Sequence, residues 1–138
     1  MVGLVDDEKS FCRLVAETNK LELLKWIREE KKCEWDYRTI NAAVEQGNLE
    51  MVKYCVANEC PIDVFACERA AKFGELDCLK YLRETAKAPW NYCAVRGAFD
   101  NNRPECLLYL LDNNCPLPEG WSYENGELLH VVESEAEE

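Results

Sequence analysis

The sequence has 138 residues, of which 48% are hydrophobic and 31% charged, and it carries a formal net charge of −11. This length suits one domain with a continuous core, and the apolar content argues against an intrinsically disordered chain. All 16 Lys and Arg residues lie before residue 119, and an acidic chain without a basic surface argues against nucleic-acid binding.

The N-terminal residues 1–10 contain three acidic residues and lack the basic and then apolar pattern of a secretory signal. The longest apolar run, at residues 107–111, is far too short to cross a bilayer. We therefore expect a protein of the reducing cytoplasm that does not associate with membranes.

Two sequence markers recur along the chain with one period. The first is a stretch of the Leu-Glu-x-Leu-Lys-Tyr type that begins, with spacings of 28, 27 and 28 residues, at Leu21, Leu49, Leu76 and Pro104. The second is a stretch of the Cys-Pro-x-Asp type that begins, with spacings of 27, 28 and 27 residues, at Cys33, Cys60, Ala88 and Cys115. Because both markers keep one period, the sequence predicts four similar structural units.

Each unit is predicted to contain a first helix, a tight turn, a second helix and a loop. Residue types that tolerate a left-handed backbone mark the turns, at Asn19, Gly47, Gly74 and Asn102. An acidic residue opposes the helix dipole in the first turn of each second helix, at Glu22, Glu50, Asp77 and Glu105. We expect Pro61, Pro89 and Pro116 to end the second helices, because the residue before proline avoids the helical region.

In chain order, the four units are predicted at residues 9–36, 37–63, 64–91 and 92–118. Residues 124–129 mimic the turn of a fifth unit but lie too close to the preceding marker. We therefore expect a truncated capping unit at residues 119–132. Residues 133–138 form an acidic tail, either a solvated end that aids solubility or a binding segment for a basic partner.

Residues 47–54, with the sequence Gly-Asn-Leu-Glu-Met-Val-Lys-Tyr, resemble the Gly-His-Leu-Glu-Val-Val-Lys-Leu core of an ankyrin repeat. The Asp36, Asp63 and Asn91 column resembles the Asp or Asn that closes that repeat. The likeness covers residues 10–118, but the Thr-Pro-Leu-His opening signature is absent and the period falls short of the usual length of about 33 residues. The chain is similar to the divergent short repeats with a Cys-Pro-Trp-Asp loop found in large DNA viruses and some protists.

The resemblance implies an all-α fold, an α-solenoid of about four ankyrin-like helix-turn-helix repeats. The short period implies that the projecting β-hairpin fingers are shortened or missing. If the source is viral, the expected location is the cytoplasm of the host cell.

Nine cysteines raise the alternative of a metal-binding or redox module. Against it, the chain has no Cys-x-x-Cys and a single histidine, His130. Cysteines alternate with Ile, Leu, Met and Val in the repeat columns of Cys12, Cys55, Cys67, Cys78 and Cys106. We interpret them as small core residues and expect no metal or cofactor. No catalytic motif is present either, so we expect a protein that is not an enzyme.

The remaining hypothesis is a monomeric adaptor that binds a protein partner through the concave face of the stack. In ankyrin repeats the residues after the small pair of the first helix, and those at the loop tips, face partners. The resemblance places these positions at Glu17, Thr18, Tyr37, Arg38, Glu45, Gln46, Val64, Phe65, Lys72, Phe73, Tyr92, Arg96 and Asp100. The aromatic members either contact the partner or pack over the shortened loops. A self-associating structural protein is a further alternative.

Overall fold

The computed structural model describes residues 4–130, and the acidic tail expected at residues 133–138 lies outside the described residues. The described chain is mostly helical, with a single small sheet. The helices are α1 (Leu4–Glu17), α2 (Leu21–Glu29), α3 (Tyr37–Glu45), α4 (Leu49–Ala57), α5 (Val64–Lys72), α6 (Leu76–Lys80, continued by a π-helical segment Tyr81–Thr85), α7 (Tyr92–Asp100) and α8 (Pro104–Asp112). A hairpin of β1 (Ser122–Glu124) and β2 (Glu127–Leu129) follows.

The helices pack in two rows. The first helices contact one another in sequence, α1 with α3, α3 with α5 and α5 with α7, and α6 contacts both α4 and α8 in the second row. A continuous core fills the space between the rows. Its largest fully buried side chains include Leu24, Ile27, Ile40, Met51, Leu79, Leu82 and Leu110. No helix in residues 4–130 is long and apolar enough to span a membrane.

The tight turns between paired helices are as predicted. Asn19, Gly47, Gly74 and Asn102 have φ angles of 66°, 68°, 74° and 57°. The Asp or Asn column has a local role that the resemblance does not state. In Asp36, Asp63 and Asn91 a side-chain oxygen accepts a hydrogen bond of 2.9–3.0 Å from the main-chain amide two residues ahead. Each therefore caps the first helix of the next unit, an interaction typically worth about 1 kcal/mol.

The second helices end before the prolines that were expected to end them. Each second helix instead ends at a residue with a left-handed backbone conformation. These residues are Lys32, Glu59, Lys87 and Asn114, with φ of 57–62°. In the second unit the Cys60 amide then donates to the Cys55 carbonyl at 2.9 Å, which closes the helix end. The prolines therefore keep the chain extended after the stop but do not cause it.

The alternation of 27 and 28 residues has a structural cause. The second helices of units one and three contain one extra residue, which widens their last turn. The Ala88 amide reaches back six residues to the Leu82 carbonyl at 2.9 Å, whereas the Cys115 amide of unit four reaches back five, to Leu110, at 3.0 Å. In unit three the insertion is the π-helical segment Tyr81–Thr85.

Units one and three also share a side-chain cluster, so units 55 residues apart resemble each other at these positions more than neighbouring units do. The guanidinium of Arg28 lies 4.0 Å from the centre of the Trp35 ring, and that of Arg83 lies 4.2 Å from the Trp90 ring. Units two and four have aliphatic residues at both positions, namely Val56 with Ile62 and Leu111 with Leu117. Trp35 and Trp90 are buried.

The C-terminal segment departs from the expected helical turn. Asn125 and Gly126 have positive φ angles of 55° and 78° and connect two antiparallel strands, as an Asn-Gly hairpin turn does. The rings of Trp121 and His130 lie 5.1 Å and 4.8 Å from that of Phe99. The hairpin and its flanks therefore cover the end of α7 with a β element where a truncated helical unit was expected.

Candidate functional site

A groove of about 410 Å³ lies over the middle of α3, between α1 and α5. Its lining residues come from these three first helices: Arg13, Glu17, Tyr37, Arg38, Asn41, Ala42, Glu45, Phe65 and Arg69. Those from α3 include Tyr37, Asn41 and Glu45, which are spaced by four residues and so share one helix face. Ala42 of α3 has a small side chain, whereas α1 and α5 contribute the larger side chains of arginines and a phenylalanine. α3 therefore forms the floor of the groove.

Ion pairs hold the arginines around the groove. Arg13 Nη1 lies 2.7 Å from Glu17 Oε2 within α1, and Arg69 of α5 pairs with Glu45 of α3. The Arg69 pair connects two neighbouring helices, so it orders the groove as well as neutralising charge. These pairs are partly exposed, and their contribution to stability is correspondingly modest.

Arg38 also has an acidic neighbour, Asp36, with Nη2 3.0 Å from Oδ2. Partial burial opposes ionisation of this carboxyl group, but the hydrogen bonds from Arg38 outweigh it and lower the pKa of Asp36. Asp36 therefore both caps α3 and orients an arginine of the groove.

Asn41 differs from every other residue of the groove. It is only 5% exposed, and its side-chain Oδ1 is buried without a hydrogen-bond partner among the described residues. A buried polar atom left without a partner typically costs about 1–3 kcal/mol. The floor of the groove therefore covers a polar atom that makes no hydrogen bond with the described residues.

The groove brings together only part of the residues that the resemblance assigned to a partner. It includes Glu17, Tyr37, Arg38, Glu45 and Phe65. Eight others do not line it: Thr18, Gln46, Val64, Lys72, Phe73, Tyr92, Arg96 and Asp100. The sequence reasoning missed Arg13, Asn41, Ala42 and Arg69. One signal could have indicated Asn41, a polar residue inside the otherwise apolar run Ile40 to Val44.

The cysteines do not form a comparable site. All nine are free thiols, and all except the half-buried Cys93 are buried. Burial raises the pKa of Cys67 and Cys78 to about 12, which keeps these thiols neutral and poorly reactive. Within residues 4–130, no group of three or more Cys, His, Asp or Glu residues could hold a metal ion.

The loop cysteines do more than fill space. The thiols of Cys33, Cys60 and Cys115 each lie 3.4 Å from a main-chain oxygen, at Glu8, Asp36 and Asn91 respectively. The weak S–H···O=C bonds of Cys60 and Cys115 link consecutive units, whereas that of Cys33 reaches α1 within the first helix pair. Ala88 occupies the equivalent position in unit three, so that unit folds without this bond.

Comparisons with family models, curated proteins and solved structures found no match to this chain. The groove and its chemistry are therefore the basis for assigning a function.

Proposed function

We propose that the chain is an α-solenoid of four ankyrin-like helix pairs, and that it is an adaptor binding a protein partner over the groove on its first helices. The observation that carries this proposal is the composition of the groove. Tyr37 and Phe65 are 41% and 45% exposed, and they stand beside three arginines. Exposed aromatic rings next to arginine are the residue types that dominate binding energy in protein interfaces.

The packing of the helices supports the solenoid part of the proposal. Contacts between successive first helices, and of α6 with α4 and α8 among the second helices, are those of a stack in which each unit touches mainly its neighbours. Such stacks present a continuous face built from first helices. A groove of about 410 Å³ accommodates a few side chains, so the partner would use it as an anchor within a larger contact.

Phe65 and Phe73 give this proposal a matched test. Both rings belong to the α5 region and are similarly exposed, at 45% and 40%, but only Phe65 lines the groove. We expect Phe65→Ala to reduce partner binding by about tenfold or more, and Phe73→Ala to change it little. Partners are captured from the cells that make the protein, identified by mass spectrometry and then titrated against both variants.

Circular dichroism of both variants controls for folding. Equal binding by wild type and Phe65→Ala would reject the groove as the binding site. If Phe73→Ala loses binding while Phe65→Ala retains it, the contact lies nearer the turns between paired helices.

Self-association is a second candidate, favoured by an apolar patch on α1 and α2. Phe11, Leu14, Leu23 and Trp26 are 49%, 49%, 40% and 48% exposed. One repeat later the corresponding positions are Thr39, Ala42, Met51 and Tyr54, of which the first three are buried. The face formed by α1 and α2 thus has the apolar character of a repeat-to-repeat interface, and a second copy of the chain could cover it through the same face.

Light scattering at two protein concentrations distinguishes this candidate from a monomeric adaptor. Self-association predicts a mass that rises with concentration in the wild type but not in a Leu14→Glu, Trp26→Glu variant. A constant monomer mass for the wild type would reject it.

A further inference from the structure

The tip of the hairpin formed by β1 and β2 places a free asparagine side chain next to an unhindered main-chain nitrogen. Asn125 is exposed, and its side chain makes no hydrogen bond with the described residues. A Cβ placed on Gly126 would meet no atom within 4 Å apart from its chain neighbours. Within residues 4–130 the Gly126 main-chain N–H donates no hydrogen bond either. Both groups needed for a cyclisation between the Asn125 side chain and the next main-chain nitrogen are therefore available.

Two other asparagines share the backbone conformation of Asn125 but lack this freedom. Asn102 and Asn114 have left-handed φ angles of 57° and 62°, against 55° for Asn125. The main-chain amide that follows each of them closes a helix end, by donating to a helix carbonyl at 2.8 Å from Arg103 and at 3.0 Å from Cys115. Both of these following residues also carry side chains, and the sequence contains no second Asn-Gly pair.

The hairpin tip can also move at small cost. Cyclisation requires a rotation of the Asn125 main chain that brings its Cγ to the Gly126 nitrogen. The strands that flank the turn are only three residues long each, and a two-stranded hairpin by itself is marginally stable in water. Opening of the tip therefore leaves the helices of the stack unchanged.

We propose that Asn125 is a site of spontaneous covalent modification, where asparagine is converted to aspartate and isoaspartate and the covering of α7 is thereby lost. The Gly126 nitrogen attacks Cγ of Asn125, so that an N–Cγ bond forms, the Cγ–Nδ2 bond breaks and ammonia leaves with the amide proton. Water then hydrolyses the cyclic imide. Cleavage between the nitrogen and Cγ gives aspartate, whereas cleavage between the nitrogen and the former main-chain carbonyl gives isoaspartate.

Both products disturb the hairpin from its tip. Glu124 and Glu127 lie directly opposite each other in the hairpin, and both are exposed. A new carboxylate at residue 125 lies beside these two acids, and like charges at such positions destabilise paired strands. Isoaspartate also lengthens the main chain by one methylene within a two-residue turn, and the length of the turn fixes the register of a hairpin. We therefore expect the two strands to separate.

Separation of the strands affects the helical stack, because the hairpin and its flanks cover α7. The ring centroids of Trp121 and His130 lie 5.1 Å and 4.8 Å from that of Phe99. The Tyr123 hydroxyl donates a hydrogen bond of 2.9 Å to Asp112 Oδ1 of α8. The paired strands position all three of these side chains. Conversion at residue 125 therefore uncovers Phe99 with time, an effect that goes beyond the proposed function and does not depend on the groove.

Ageing of the whole chain at neutral pH tests the chemistry. Peptide mass spectrometry, with chromatographic separation of the isomers, measures the asparagine, aspartate and isoaspartate forms of residue 125. Asn102 and Asn114 are matched controls within the same molecule, because they share the left-handed conformation but precede bonded amides. We expect residue 125 to convert at least about tenfold faster than either of them. Equal rates at the three positions would overturn the proposal.

Asn125→Gly is the control for the loss of the covering hairpin. A Gly-Gly pair suits the same two-residue turn but has no side-chain amide to lose. Hydrogen exchange followed by mass spectrometry compares fresh and aged samples of both proteins. We expect ageing to reduce the protection of residues 121–129 about tenfold in the wild type and to leave that of Asn125→Gly unchanged. Conversion without a loss of protection, or an equal loss in the aged variant, would overturn the uncovering of α7.

Discussion

Above about pH 9 we expect this protein to lose stability steeply, because its buried thiols keep their protons while those of the unfolded chain do not. Burial raises the pKa of five cysteines from the ordinary 9.0 to about 11 for Cys106 and to about 12 for Cys12, Cys67, Cys78 and Cys115. Hydrogen bonding to Cys60, together with burial, also raises the pKa of Cys55.

The sign follows from proton binding. Below pH 9 both states hold these protons, so the contribution of the thiols to stability is fully present. Between pH 9 and about 12 the unfolded chain ionises first, so stability is lost as the pH rises. Each thiol contributes about 1.4 kcal/mol per pH unit, and six together reach a loss on the order of several kcal/mol per unit. Burial and Glu29 raise the pKa of Tyr54 from 10.0 to about 12, which adds to the loss of stability at high pH.

Urea unfolding followed by circular dichroism at pH 8 and at about pH 10 measures this dependence. The repeat columns supply a control, since Ile40 and Val95 occupy the positions that correspond to Cys12 and Cys67. A Cys12→Ile, Cys67→Val variant should show a loss between the two pH values that is smaller by about a third. A stability independent of pH, or an unaltered loss in the variant, would contradict the assignment of the thiols to the core.

Replacing Trp90 by Ala should lower the free energy of unfolding by about 3–5 kcal/mol. The Trp90 ring is 9% exposed, and it lies between the Arg83 guanidinium, 4.2 Å away, and the Tyr109 ring, whose centroid is 6.2 Å away. Removal of the ring leaves a cavity and deprives Arg83 of its stacking partner. Urea unfolding with an unchanged m value measures the effect.

Trp26 supplies the control for this prediction. It is 48% exposed, so Trp26→Ala should cost less than about 1 kcal/mol. Trp90→Leu should recover part of the loss, because Leu117 occupies the corresponding position in the fourth unit. Similar losses of unfolding free energy for the two alanine variants would mean that the buried Trp90 stabilises the fold no more than the exposed Trp26 does.

The period alone predicted most of the helices correctly, because the signals that start and stop them are local. Left-handed turns depend on Asn or Gly at one position, and the caps of α3, α5 and α7 depend on one side chain reaching two residues ahead. Trp26, Tyr54, Tyr81 and Tyr109 occupy equivalent positions in the four units. The three tyrosines are half-buried, whereas Trp26 is exposed because it lies on the face of α2 that the other described helices do not cover.

The start of α1 and the last segment were less predictable. α1 begins at Leu4, five residues before the expected start of the first unit. Asn125 and Gly126 suit a hairpin turn as well as a helix end, and packing of Trp121 against Phe99 stabilises the hairpin. The Asn-Gly pair therefore could not by itself distinguish a hairpin turn from the end of a helix.

The sequence by itself determined the number of helix pairs, their turns and the core positions of the repeat cysteines, since each depends on residues within one helix or its neighbouring turn. Only the tertiary structure decided which residues form the groove. Arg13, Asn41 and Arg69 come from three helices of three different units. Their pairing with acids, or the lack of a partner for Asn41, depends on side-chain distances across packed helices, which a one-dimensional period does not encode.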